Sequence, residues 1–247
     1  MAFAYFHFYA ELNDFIPPPK RQVKIDHCFA ERTSIKDMIE SLGVPHPEVD
    51  CIEVNGKPVT FSYIVQDGDT INVFPISDKT MTTSTISVRP KPLRVIRFVL
   101  DIHLGKLVTS LRLLGFDTLY RNDYEDEELA RISSTQERIL LTRDKGLLMR
   151  SIVTYGYYVR NTDPQHQIVE VLRRFDLFKS VSPFKRCLRC NGLLEPVAKE
   201  FILDKLPENV QLHTNEFHRC QNCEQIYWKG SHYERLQQFI DLVMRNG

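Results

Sequence analysis

Apolar positions along the chain fall into two successive rhythms. From Ala2 to Leu12 the residues are apolar and aromatic, and from Gln22 to Phe29 they alternate around Val23, Ile25 and His27. Both stretches predict strands. Ile35, Met38, Ile39 and Leu42 then recur at helical spacing, with Thr33 or Ser34 placed to cap the helix and Gly43 to end it. Ile52-Glu53-Val54 runs into the hairpin-turn pair Asn55-Gly56, and Asp67-Gly68-Asp69 makes a second turn before Ile71-Asn72-Val73-Phe74. The order is strand, strand, helix, strand, strand.

The rhythm breaks between Pro75 and Pro92, a Thr-, Ser- and Pro-rich stretch without helical period that reads as a linker over residues 77–92. Beyond it, strands and helices alternate. Arg94 to Leu100 is an apolar strand ending at Asp101, and Leu104, Leu107, Val108, Leu111 and Leu114 follow at helical spacing up to Gly115. Phe116–Tyr120 predicts a second strand, and Asp126 opens a helix through Leu129 and Ile132. Arg138–Thr142 predicts a third strand ending at Asp144, and Tyr157–Val159 a fourth. Asp163-Pro164 is a cap and first-turn pair for a helix carrying Ile168, Val169, Val171 and Leu172. Repeated βα units imply a parallel sheet.

The first part resembles a known fold. Val54-Asn55-Gly56-Lys57-Pro58-Val59 and Asp67-Gly68-Asp69-Thr70-Ile71 look like a β-grasp domain of the ubiquitin and sulfur-carrier type, covering residues 1–76. A working sulfur carrier ends in Gly-Gly, whereas here the last strand leads into Pro75-Ile76-Ser77. The expectation is a docking or packing module with a possible protein partner.

Composition narrows the class. With 43% hydrophobic and 26% charged residues among 247, the chain has the make-up of an ordinary globular protein of one to three domains. No apolar run approaches the ~18 residues that span a bilayer, so no membrane partner is expected. Met1 to His7 lacks the basic start and apolar core of a signal peptide. Residues 1–88 hold 7 Lys and Arg against 12 Asp and Glu, a net of −5, while residues 89–247 carry +5. That asymmetry is either ordinary surface variation or a sign that the second part meets a polyanion.

Four cysteines carry the strongest chemical signal. Cys187-x2-Cys190 and Cys220-x2-Cys223 together supply a tetrahedral four-sulfur zinc site, which has no open position and therefore folds a module rather than catalysing. Cys28 and Cys51 read as small buried hydrophobes. Paired metal-type cysteines without an export signal point to the cytoplasm.

Chemistry must come from elsewhere. In open α/β sheets, ligands sit outside the carboxyl ends of the strands, where Asp101 and Asp144 fall. Asp126 is either a third acid or a helix cap; Asp163 reads as a cap. Several acids at one edge suit Mg²⁺ or Mn²⁺, which favour oxygen ligands. Lys106 and Arg112 on the following helix either reach phosphates of a polyanion or form a solvated face, and Arg143 either contacts that polyanion or braces the acids. Trp228 either packs on the zinc knuckle or stacks on a base. Ser231 is expected to cap the last helix.

Residues 97–117, the strand Arg138–Asp144, the knuckle Arg186–Asn191 and the run Tyr227-Trp228-Lys229-Gly230-Ser231-His232 resemble the Mut-seven C-terminal RNase domain family. The resemblance covers residues 94–245. It implies an α/β PIN-like nuclease domain over 93–182, followed by a zinc ribbon and C-terminal helix over 183–247. It also implies a metal-dependent ribonuclease, with Asp101 and Asp144 as metal-binding acids and Asp126 as a third. The alternatives are a non-catalytic RNA-binding protein of the same fold and an adaptor acting through its β-grasp domain.

Overall fold

The computed structural model describes residues 1–30, 32–75 and 86–247. In chain order its strands and α-helices are β1 (Ala2–Phe8), β2 (Ile25–Phe29), α1 (Ile35–Ser41), β3 (Val49–Val54), β4 (Lys57–Val59), β5 (Thr70–Pro75), β6 (Arg97–Leu100), α2 (Gly105–Leu113), β7 (Asp117–Leu119), α3 (Asp126–Thr135), β8 (Ile139–Thr142), α4 (Lys145–Leu148), β9 (Gly156–Tyr158), α5 (Pro164–Arg174), β10 (Leu194–Val197), α6 (Glu208–His213), β11 (Phe217–Cys220), β12 (Ile226–Trp228) and α7 (Ser231–Met244). They form two compact units. One joins Met1–Arg94 to Glu125–Tyr158, the other Val95–Tyr124 to Val159–Gly247.

The first unit is built on a five-stranded sheet ordered β2-β1-β5-β3-β4. β1 and β5 run parallel at its centre, and the other neighbours are antiparallel. This is the expected β-grasp arrangement. Alternation along β1 buries Ala4, Phe6 and Phe8, along β5 Ile71 and Val73, and these meet Ile35, Met38 and Ile39 of α1. Ser34 caps α1, accepting from the Asp37 amide. Asn55 and Gly56, both at positive φ, turn β3 into β4. The apolar run to Leu12 holds two elements: Ala10, at φ 44°, leaves the strand for a 3-10 turn. That turn drops Leu12 and Phe15 into the same core.

Residue 76 and residues 77–85 of the expected linker lie outside the described residues. Further along, Ser87 bridges to Cys51 and donates to Asp50 Oδ1 at 2.7 Å. The Val88 amide donates to Asp50 O, and the Val88 side chain packs on the β-grasp core.

β8, buried at every position, pairs in parallel with β9. The β-grasp body holds this pair directly. Glu48, 0% exposed, accepts the Tyr158 amide at 2.7 Å. His46 Nε2 lies 2.8 Å from Val153 O, and its Nδ1 lies 2.6 Å from Glu40 Oε1. A carbonyl only accepts, so Nε2 is the donor. The rings of Phe15 and Tyr158 meet edge to face at 5.3 Å. Buried hydrogen bonds to charged groups contribute ~1.5–3 kcal/mol, so these contacts weigh on the stability of the unit. The compact unit thus extends beyond residue 76.

In the second unit β6 and β7 are parallel, with Arg97 opposite Asp117. Phe98 contacts the rings of Phe116 and Phe175, both at 6.0 Å between centroids. α2 buries Leu107, Val108 and Leu111, and α5 buries Ile168, Val171 and Leu172. Gly115 ends α2 at φ +94°, and a Cβ there would fall 2.2 Å from Ser182 O, so no side chain fits. β10, β11 and β12 form an antiparallel sheet over a small core of Ile202, Leu206, Val210, Phe217 and Ile226. Parallel strand pairs alternating with helices are therefore present as expected. The short helices α4 and α6 lie outside the sequence reading. α7 starts at Ser231 itself, after Gly230 in the cap position, so Ser231 is not its cap. Among the described residues no helix is long and apolar enough to cross a membrane.

Candidate metal centre and the acids at the strand ends

The two cysteine loops have the same local design. In the first, the Cys187 amide donates to Gly192 O at 2.8 Å and the Asn191 amide to Cys187 O at 3.0 Å. In the second, the Cys220 amide donates to Gln225 O at 2.9 Å and the Glu224 amide to Cys220 O at 3.1 Å. Asn191 (φ 71°) and Glu224 (φ 58°), each four residues beyond the first cysteine of its loop, turn through the left-handed region. Asparagine tolerates that turn well; glutamate does so at some cost. Gly192 sits where a Cβ would fall 2.8 Å from Cys220 Sγ. A side chain there would push into the sulfurs.

The four Sγ atoms lie within 4.8 Å of one another, the one such group of potential ligands among the described residues. Cys187 and Cys223 are 3.6 Å apart, and Cys190 and Cys220 3.3 Å. A tetrahedron with metal–sulfur bonds of ~2.3 Å has edges of ~3.8 Å, so the donor set fits a zinc-like ion. Cys187 and Cys220 are fully buried. Burial pushes the Cys187 thiol up, but hydrogen bonds from Tyr227 and from the Cys190 and Arg189 backbone more than offset it, leaving Cys187 at about 7. Burial pushes Cys190 up to about 12. Four sulfurs this close cannot all ionise unless a cation joins them. The Tyr227 hydroxyl stands 3.1 Å from Cys187 Sγ and accepts from the Leu188 amide at 3.1 Å. It relays backbone polarity to the thiolate.

Arg112 belongs to this framework, not to the surface. It is 5% exposed, and its guanidinium donates to Thr118 O, Leu188 O and Arg189 O at 2.9–3.1 Å. These bonds stitch α2 and β7 to the first cysteine loop. The expectation that Arg112 reaches RNA phosphates is corrected by that burial. Asn191 adds a second stitch, accepting from the Thr118 amide and donating to Asp117 Oδ1, both at 2.9 Å. Arg186 adds a third, donating to Gly115 O and Asn191 O.

The acids lie in different units. In the second unit Asp101 directly follows β6 and is 6% exposed. In the first, Asp144 follows β8 after Arg143, and its Oδ1 accepts from the Gly146 and Leu147 amides at 2.7 and 3.3 Å. Asp144 therefore caps α4 and is exposed. Asp126 is the first residue of α3, with Glu125 in the cap position. It is exposed and stands 3.9 Å from Arg150 Nη2. Asp163 caps α5 through the Gln165 and His166 amides. Lys106 is exposed on α2; Arg143 is half-buried, with its guanidinium 6.0 Å from the centre of the Tyr158 ring.

Sequence reasoning missed Tyr227 as a sulfur partner, Arg112 and Asn191 as ties to the first loop, Glu48 as a tie to β9 and His46 as a tie to Val153 before it. Tyr227 and Asn191 lay within conspicuous runs, whereas Arg112, Glu48 and His46 carried no signal of these ties.

A family model described as the Mut7-C RNAse domain matches residues 96–240, and one described as Mut7-C ubiquitin matches residues 1–81. Among solved structures, the small archaeal modifier protein 1 of H. volcanii is similar at 13% identity and a TM-score of 0.25. The putative molybdopterin converting factor subunit 1 of Pyrococcus furiosus is similar at 20% identity and a TM-score of 0.24. Each likeness covers 30% of this chain and 98% of the other. No curated protein matches the chain.

Proposed function

Because the chain belongs to the Mut7-C RNase family, we propose that it is a metal-dependent ribonuclease, with a PIN-like nuclease domain over residues 93–182 and a structural zinc ribbon over 183–247. The match of the RNase-domain model to residues 96–240 carries this reading. In it, Asp101, Asp126 and Asp144 supply oxygen ligands for Mg²⁺ or Mn²⁺, a donor type that suits hard cations. Such an ion, if held by these carboxylates, would polarise a phosphodiester and supply an activated water. Asp101, buried at the end of β6, is the most constrained of the three. Lys106 and Arg143 contribute positive charge toward an RNA backbone. The cysteine module keeps the first loop tied to α2 and takes no part in the chemistry, since four sulfurs leave the ion no open position.

The cap duty of Asp144 favours a second reading, a non-catalytic RNA-binding protein of the same fold, because one of its carboxylate oxygens is already engaged. Cleavage separates the two. The full chain with Mg²⁺ or Mn²⁺ should cut labelled single-stranded or structured RNA. Asp101→Asn and Asp144→Asn should abolish cutting while RNA binding persists, and Asp163→Asn should spare it. Full activity in Asp144→Asn sinks the assignment of that residue. RNA binding without cleavage in the parent chain supports the second reading. For the β-grasp domain we propose a role in packing and protein docking, consistent with its hold on β9.

A further inference from the structure

The aromatic run ending in His232 lines a cavity that shares Tyr227 with the cysteine site and is used by none of the acids. A cavity of about 560 Å³ opens beside the cysteine module, within the second unit and within residues 96–240. Its volume falls in the ~300–1,000 Å³ range of ligand pockets. Tyr227, Trp228 and Tyr233 line it with rings, and Phe184 stacks on Tyr233 at 4.5 Å between centroids. Trp228 packs partly on the small Ile202 core, is half-buried, and lines the cavity as well.

The mouth differs from the lining. Lys229, His218 and His232 are exposed there, and its acid, Glu216, is held by Lys229 at 2.6 Å. An apolar aromatic slot under a mouth with no uncompensated acid suits a flat heterocycle whose attached phosphates stay outside.

We propose that this cavity is a nucleobase subsite, in which an unstacked base of single-stranded RNA inserts against Trp228 while the adjoining phosphates lie at His218 and His232. The choice of RNA rests on the ribonuclease reading; the slot itself does not. The cysteine module then anchors the substrate strand as well as folding the domain.

Trp228 is the one tryptophan of the chain, so its emission reports the slot directly. The experiment titrates the full-length zinc-loaded Asp144→Asn protein with a single-stranded oligoribonucleotide, an abasic oligomer of equal length and a duplex. Quenching by the single strand alone is expected. Trp228→Ala should weaken binding of the single strand about tenfold, the loss typical of one stacked base, and Trp228→Phe should restore most of it. Should Trp228→Ala lose zinc, His232→Glu serves instead. It sets a carboxylate at the mouth without touching the cysteines and should weaken binding to a similar extent. Equal quenching by the abasic strand, or unchanged binding in both Trp228→Ala and His232→Glu, overturns the proposal. So does Trp228 shielded by self-association, or responding to an apolar peptide and not to RNA. RNA cleavage by the parent chain with Trp228 silent refutes the slot and spares the ribonuclease. Quenching without cleavage in the parent does the reverse.

Discussion

The β-grasp body and the cysteine module solve the same problem with different means. The first closes over a continuous core running from Ala4 to Val73, with three phenylalanines among its buried residues. The core cluster of the second has five buried apolar residues, Ile202, Leu206, Val210, Phe217 and Ile226, two of them still 9% exposed. A core that small does not hold a fold alone, and modules of this size use metals or cross-links. A metal ion held by four thiols within 4.8 Å of one another would supply what the missing apolar area cannot. The β-grasp body should therefore yield to cavities, and the cysteine module to chelators.

The largest effect expected from this contrast is on the module. Removing zinc with a strong chelator, or replacing Cys220 by Ala, should unfold residues around β10–β12, because the binding energy of a structural zinc is folding energy. The readouts are loss of one zinc per chain and a red shift of Trp228 emission, with hydrogen exchange of β1 and β5 unchanged. Unaltered Trp228 emission in the metal-free chain would show that the small core suffices.

Phe6→Ala should cost about 3–5 kcal/mol, as large-to-small changes in packed cores do, and leave zinc content intact. Chemical denaturation with parallel metal analysis checks both halves. A smaller loss, ~1–3 kcal/mol, is expected for Glu48→Ala, which leaves the Tyr158 amide without its acceptor. Glu48→Gln keeps an acceptor and should lose less; equal losses would make the charge, not the acceptor, the important part. The smallest effect is at Asp163→Asn, which swaps one good helix cap for another; its unfolding free energy should change by a few tenths of a kcal/mol at most.

The parts legible in the sequence were those whose cause is local. Asn55-Gly56 announces its turn because both residues accept positive φ. Ser34 and Asp163 announce their helices through side chains that reach the amides two or three residues on. The cysteine pairs announce a ligand set because spacing alone brings two sulfurs together. Arg112 was misjudged for the opposite reason. Its burial depends on carbonyls of Leu188 and Arg189 that lie 76 and 77 residues away. Read on one helix, an arginine looks solvated. The hold on β9 was hidden likewise, since Glu48 and His46 sit in a short irregular stretch with no period to betray which side faces inward. α4, four residues long, is too short to show a helical pattern.

The bond from Glu48 to the Tyr158 amide spans 110 positions of sequence, and this sets a timetable for synthesis. At ~5–20 residues per second, Tyr158 leaves the ribosome roughly 5–20 s after Glu48. β-grasp strands pair much faster than that, since even slow small domains fold within seconds. The emerging β8 and β9 therefore meet a surface already formed, on which Glu48, His46 and Phe15 wait for their partners. On that timetable the N-terminal domain would be in place as a template before the segment it contacts is made.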